Sequence, residues 1–220
     1  MTKTDIINYL INANGYTSYL EIGLDTGAEY KKIKCENKES VDPYNQEDHC
    51  KQGYDLKFEG DIPEDIKAVL TYRMTSDEFF AQNQKTYDII LIDGLHEQQQ
   101  VARDIINGLN ILSDNGILVL HDCLPGNEIM QRVPRVSGGW NGDVWKGVAE
   151  LIKQGLEVKV VDTDFGVGLV RKADNIGKEF TQPEISELTW NDFVNNRDSL
   201  MHVIAESDFF VEYNISLIKR

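Results

Sequence analysis

Two short runs carry the residue types best suited to chemistry. In Asp93-Gly94-Leu95-His96 an acid stands directly after an apolar run, and Gly94 permits a sharp turn. His96 follows about one helical turn later, near enough to act beside Asp93. In His121-Asp122 an imidazole and a carboxylate stand together after a second apolar run. Asp93, His121 and Asp122 are candidates to converge on one divalent cation, with waters or substrate oxygens completing its shell. An imidazole suits manganese, iron or zinc better than magnesium. A purely structural His121 is the alternative.

A third constellation suits a nucleoside. Glu21-Ile22-Gly23-Leu24-Asp25-Thr26-Gly27 follows an apolar strand and has glycines that let backbone approach a ligand closely. Asp42 stands 19 positions beyond Gly23, near the offset at which an acid can accept from both ribose hydroxyls of an adenosine. Each feature has a plainer reading, a tight turn for the glycines and a strand-end aspartate before Pro43 for the acid. Taken together they favour adenosine binding.

The elements that position these residues follow from apolar periodicity. Short apolar runs alternate with amphipathic stretches, the pattern of a βαβ sheet. Strands are expected at 19–23, 40–42, 68–72, 87–92, 117–120, 158–161 and 167–170, the last two as an antiparallel hairpin at the sheet edge. Helices are expected at 3–13, from Ser76, at 96–112 and at 144–153, with Asn115-Gly116 as a break. Trp145 and Val148 read as core contacts of the helix at 144–153. Residues 121–142 read as a long loop, a candidate lid in which Arg132, Arg135 and Trp140 could meet an acceptor. The fold class is α/β, a Rossmann-like, doubly wound, mostly parallel seven-stranded sheet with a C-terminal helical extension. In such a sheet ligands gather outside the carboxyl ends of the strands. Glu21, Gly23, Asp42, Ser76, Asp77, Asp93, His96, His121 and Asp122 fall there, while the opposite loops hold no such cluster.

The expected organisation is one cofactor-binding domain over residues 1–172 and an extension over 173–220. That extension holds an amphipathic helix at 188–205 and a strand or docking segment at 209–218, packing on the domain or forming a homodimer contact. The chain has 220 residues with a formal net charge of −15. Such a surface repels phosphate backbones, which argues against nucleic acid as a partner. Cys35, Cys50 and Cys123 are widely spaced and form no CxxC pair, so reduced thiols and a cytoplasmic location are expected. No apolar run reaches the roughly 20 residues that span a bilayer, and the Asn214 sequon reads as chance.

The segments YLEIGLDTG, SVDPY, YRMTSDEFF, YDIILIDGLHEQQQVARDI, GILVLHDCLP and WNGDVWK, collinear over residues 19–146, resemble the class I S-adenosylmethionine-dependent methyltransferases. The likeness is greatest to a group that often acts on sugars and natural-product scaffolds. It implies that Glu21, Gly23 and Gly27 contact the methionine and ribose parts of S-adenosylmethionine. It places Asp42 on the ribose hydroxyls, Thr75 and Ser76 along the adenine, and Asp93 at the methionyl end or on a metal. It also implies a small-molecule acceptor such as a sugar hydroxyl, with His96 as general base. Relatives that use magnesium carry an acidic pair after the fifth strand. Here that pair reads His121-Asp122, a departure that leaves the divalent cation open.

Three other readings share parts of this pattern. A nicotinamide-dependent oxidoreductase would carry G-x-G-x-x-G, and the turn here reads G-L-D-T-G. A methyltransferase-fold hydroxylase would need iron and oxygen at the same strand-end acids, and a non-catalytic module would keep only the fold.

Overall fold

The computed structural model describes residues 1–44, 62–171 and 183–213. Helix α1 (Lys3–Asn14) opens with a reciprocal capping box between Thr2 and Asp5 and stops at Gly15, whose left-handed conformation ends the helix. Strands β1 (Ser18–Ile22) and β2 (Asn37–Val41) follow, separated by a single 3₁₀ turn at Tyr30–Lys32. Next come two short helices, α2 (Glu64–Lys67) and α3 (Ser76–Gln82). Strand β3 (Tyr87–Ile92), helix α4 (Gln98–Asn110) and strand β4 (Leu112–Leu120) form the central crossover. Helix α5 (Val144–Lys153) leads into β5 (Val158–Val161) and β6 (Val167–Arg171). The described chain closes with α6 (Pro183–Ser186), α7 (Trp190–Met201), β7 (Val203–Ile204) and α8 (Glu206–Glu212).

The seven strands lie in the order β2-β1-β3-β4-β6-β5-β7. The first four pair in parallel, β6 runs antiparallel to both its neighbours, and β7 pairs in parallel with β5. Alternate residues of each strand bury against opposite layers, as the period of two requires. Ile90 and Ile92 join Leu109, Val148 and Phe193 on the side of α4, α5 and α7. Ile89 and Leu91 join Ile6, Leu10 and Phe209 on the side of α1 and α8. Trp145 and Val148 are fully buried in the first of these layers.

Several expected elements differ in detail. The strand expected at 68–72 survives as one parallel bridge between Tyr72 and Val41. Side chains take over there from the ladder: Thr71 Oγ1 accepts from Ser40 N, and the Ser40 hydroxyl donates to Val69 O. Asn115-Gly116 lies inside β4 instead of ending the preceding helix, because α4 stops at Asn110 and the strand already begins at Leu112. The hairpin is not the sheet edge, since β7 covers β5. The helix expected at 188–205 stops at Met201, where His202 turns left-handed and frees Val203 and Ile204 to pair. Residues 206–212 are helical where a strand or docking segment is expected at 209–218. Cys50, the Asn214 sequon and the proposed boundary at 172 and 173 fall outside the described residues. Cys35 and Cys123 are free thiols.

Candidate functional site

Backbone hydrogen bonds carry the parallel pairing just past the strand ends and set three residues abreast. Gly23 N donates to Val41 O at 2.9 Å, Asp93 N to Ile22 O at 2.8 Å, and His121 N to Ile92 O at 3.2 Å. The sheet thus places the glycine turn, Asp93 and the His121-Asp122 pair along one edge. Gly23 is required there on two counts. Its φ is +93°, and an added Cβ would stand 2.1 Å from the carbonyl oxygen of Asp93.

The centre of the site is a knot of carboxylates and imidazoles. His96 Nδ1 donates to the carbonyl of Trp140 at 2.9 Å, which turns Nε2 toward Asp122 Oδ2 at 3.3 Å and Asp93 Oδ1 at 3.5 Å. His121 Nδ1 stands 3.2 Å from Asp93 Oδ1 and 3.3 Å from Asp122 Oδ2. Its Nε2 is buried with no partner within hydrogen-bond distance and lies 3.6 Å from Asp164 Oδ2. Burial works against charge throughout, yet the groups sustain one another. The His121 charge, hydrogen bonds from both histidines and the Lys3 ammonium hold the Asp93 carboxyl well below its usual range. Desolvation likewise opposes protonation of His121, but Asp93, Asp122 and Asp164 raise it well above the ordinary histidine value. His96 is raised too, by Asp93 and Asp122 against its burial.

The knot can be tested for a divalent cation. Ligand atoms of Asp93, His96 and Asp122 all lie within 4.8 Å of one another. His96 also has the outer hydrogen bond that fixes the tautomer of a metal-bound histidine. These three residues fit a cation that accepts mixed oxygen and nitrogen donors. The converging set has His96 where the sequence suggested His121, whose Nδ1 also lies 3.2 Å from Asp93 Oδ1 and 3.3 Å from Asp122 Oδ2.

On the β1–β2 side the polar groups are tied to backbone instead. Asp42 Oδ2 accepts from Leu24 N at 2.8 Å and Asp25 N at 3.2 Å, and its Oδ1 accepts from Tyr44 N at 2.6 Å. A carboxylate has about four acceptor positions, and Asp42 uses three of them to clamp the glycine turn and Tyr44 N. Glu21 is buried, accepts from the Tyr19 hydroxyl, and is pushed up to about 8 by desolvation. Gly27 completes the turn at φ +66°. Thr75 caps α3 in a reciprocal box with Glu78, while Ser76 Oγ accepts from Gln100 Nε2 at 3.1 Å. Gln100 also donates to the buried Asp104 at 3.0 Å, a carboxyl that desolvation lifts to about 6. Asp93, expected from the resemblance at the methionyl end or on a metal, points its carboxylate at Lys3, His96 and His121.

The loop over residues 121–142 folds onto His96. The Trp140 ring lies 5.2 Å from the imidazole at 31°, and its indole N–H donates to Arg132 O. Arg135 donates to the carbonyls of Ser137 and Gly138 and sits 5.6 Å over the Trp140 ring. Arg132 pairs with Glu128 at 3.6 Å. Both arginines therefore support the loop itself. Gly142 seals it, since at φ +59° an added Cβ would stand 1.7 Å from His96 O.

Three contributors escape a reading of the sequence. Lys3, in the first turn of α1, reaches Asp93 with its ammonium and stands 3.4 Å from His121 Nδ1. Asp164, in the β5–β6 turn, accepts from Lys3 N at 2.7 Å. Asn141 is buried and donates to Asp122 Oδ1 at 2.5 Å. The only local signal is the run Asp162-Thr163-Asp164-Phe165-Gly166, which reads as an ordinary turn.

Comparison with known proteins matches this architecture. Residues 20–123 match the family described as a methyltransferase domain. The chain has the class I S-adenosylmethionine-dependent methyltransferase fold. An S-adenosylhomocysteine-bound methyltransferase of Podospora anserina superposes with a TM-score of 0.53 at 18% identity, covering 78% of each chain. The O-methyltransferase TomG of Streptomyces achromogenes, solved with S-adenosylmethionine, gives 0.52 at 10% identity over 77% of this chain and 79% of its own. An O-methyltransferase of Bacillus cereus with S-adenosylhomocysteine gives 0.50 at 12% identity over 78% and 82%. No curated protein matches the chain in sequence. No helix among the described residues is long and apolar enough to cross a membrane.

Proposed function

We propose that this methyltransferase-fold chain methylates a hydroxyl of a small molecule, a sugar or similarly hydroxylated compound, with His96 as general base. The observation that carries the reading is the orientation of His96. Its Nδ1–H is committed to the Trp140 carbonyl, so the neutral ring offers Nε2 as its basic atom. That atom faces the acidic knot at the strand edge. S-adenosylmethionine, when bound, supplies an electrophilic methyl on a sulfonium, and the Gly23–Gly27 turn with Asp42 is where its adenosine would rest. Nε2 would take the acceptor proton as the oxygen–carbon bond forms and the methyl–sulfur bond breaks, releasing S-adenosylhomocysteine, and Asp93 and Asp122 would stabilise the resulting imidazolium. Much of the acceleration would come from holding donor and acceptor in line.

A second reading is favoured by the convergence of Asp93, His96 and Asp122. A divalent cation held there would polarise the acceptor oxygen as a Lewis acid. One Nε2 lone pair cannot serve as both base and ligand, so the two readings are exclusive for His96.

The test is His96→Ala, assayed by S-adenosylhomocysteine release against glycoside and phenol acceptors. Turnover should fall about 10²- to 10⁴-fold, the usual contribution of a general base, while S-adenosylhomocysteine affinity stays nearly unchanged. Loss of that affinity would remove His96 from the role of base. Activity abolished by a chelator and restored by manganese or magnesium would favour the second reading.

A further inference from the structure

The knot at the strand edge contains one cation that no step of the proposed chemistry uses. Lys3 reaches it from helix α1 with a side chain only 14% exposed. Its ammonium stands 2.5 Å from Asp93 Oδ2 and 3.4 Å from His121 Nδ1. Burying an ammonium costs free energy that only close pairing recovers, which sets Lys3 apart from the exposed lysines of the surface. The backbone around it is held as well. Lys3 N donates to Asp164 Oδ2 at 2.7 Å and Thr163 Oγ1 donates to Met1 O, so the β5–β6 turn grips the start of α1. Ile6, Ile7 and Leu10, all fully buried, fix the rest of the helix against the sheet.

The two oxygens of Asp93 face different groups. Oδ2 meets Lys3, whereas Oδ1 faces His121 Nδ1 at 3.2 Å and His96 Nε2 at 3.5 Å. Asp93 is also one of the three residues whose ligand atoms converge for a cation. A divalent ion among them would share the Asp93 carboxylate with a fixed ammonium. Like charges on one largely buried carboxylate repel strongly, because little water screens them. We propose that Lys3 is a positioning residue that holds Asp93 and keeps divalent cations off Asp93, His96 and Asp122, leaving His96 Nε2 free to act as base. This role rests on the general-base reading above and adds what selects that reading over the cation-bound one. An ammonium keeps its charge throughout the neutral range, so the exclusion does not lapse there. Lys3 acts through Asp93 alone in this role.

Manganese titration of the full chain, followed by the electron paramagnetic resonance of the free ion, tests this without any methyl transfer. Lys3→Gln keeps a hydrogen-bond donor but loses the charge, and Lys3→Met loses both. Both variants should bind manganese about tenfold or more tightly than the wild type, while Lys3→Arg should match the wild type. Lys153→Met, the same change of charge at a lysine paired with Glu184 on α6, should also match it. A merely structural lysine would give the opposite sign, since a loosened trio binds a cation less well. Affinity unchanged or lowered in Lys3→Gln and Lys3→Met, or raised as much in Lys3→Arg or Lys153→Met, would overturn the proposal. So would manganese binding to none of the proteins. Failure of the general-base reading shows separately, as turnover that survives His96→Ala.

Discussion

The two halves of the strand edge that carries the candidate site are built by different means. Around β1 and β2, Asp42 and Gly23 are fixed by backbone hydrogen bonds within a few residues of their own strands. Around β3 and β4, the acids and histidines are fixed chiefly by one another, through side chains from α1, the loop before α5 and the β5–β6 turn. The first half is a preformed cradle whose shape depends on backbone conformation. The second is a charge network whose state depends on which of its members carry protons.

If the cradle is a backbone device, the largest effect should come from filling it. Gly23→Ala adds a methyl 2.1 Å from Asp93 O at a φ of +93°. Left-handed strain and overpacking together should cost about 4 kcal/mol, measured by urea unfolding. Gly15→Ala shares the positive φ but meets open space, and should cost only about 1 kcal/mol. Equal losses at the two positions would remove the distinction.

The boundary between the halves is Glu21, whose carboxyl is raised to about 8 from an ordinary 4.5 by burial. Between those values the unfolded chain releases its proton while the folded chain keeps it, so stability falls as pH rises through that window. Each pH unit contributes about 1.4 kcal/mol. Relative to pH 4.5, Glu21→Gln should therefore gain about 3 kcal/mol on the wild type by pH 7, read from denaturation midpoints across pH. A constant difference between the two proteins would show that Glu21 ionises freely in the fold.

The smallest effect concerns Thr75, which the resemblance sets along the adenine and the structure sets at the cap of α3. Thr75→Ala should lower stability by about 1 kcal/mol. A helix cap with no ligand role would leave S-adenosylhomocysteine affinity intact once the protein is folded. A parallel fall in affinity would add Thr75 to the cradle.

This contrast also explains what the sequence discloses. Glu21 to Gly27, Asp93-x-x-His96 and His121-Asp122 lie at the ends of apolar runs, so periodicity alone sets them at one edge of a parallel sheet, while Asp42 is marked by its offset from Gly23 and by Pro43. Lys3 and Asp164 carry no such mark. Lys3 sits in an ordinary capped helix 90 positions from Asp93, and only the packing of α1 on the sheet brings them together. The expected strand at 68–72 fails for a related reason, since Ser40 and Thr71 side chains satisfy backbone groups that a ladder would use. Strand β7 is equally hidden, because two residues after a left-handed histidine give no periodic signal.

On the proposed reading, the glycine turn and Asp42 form a cradle for S-adenosylmethionine beside a separate acidic knot. Calorimetric titration of the full chain with S-adenosylhomocysteine, with and without magnesium, tests it most directly. Saturable, micromolar binding is expected under both conditions, tightened by magnesium only if a cation occupies Asp93, His96 and Asp122. No heat of binding under either condition would contradict it and leave a methyltransferase fold without its donor.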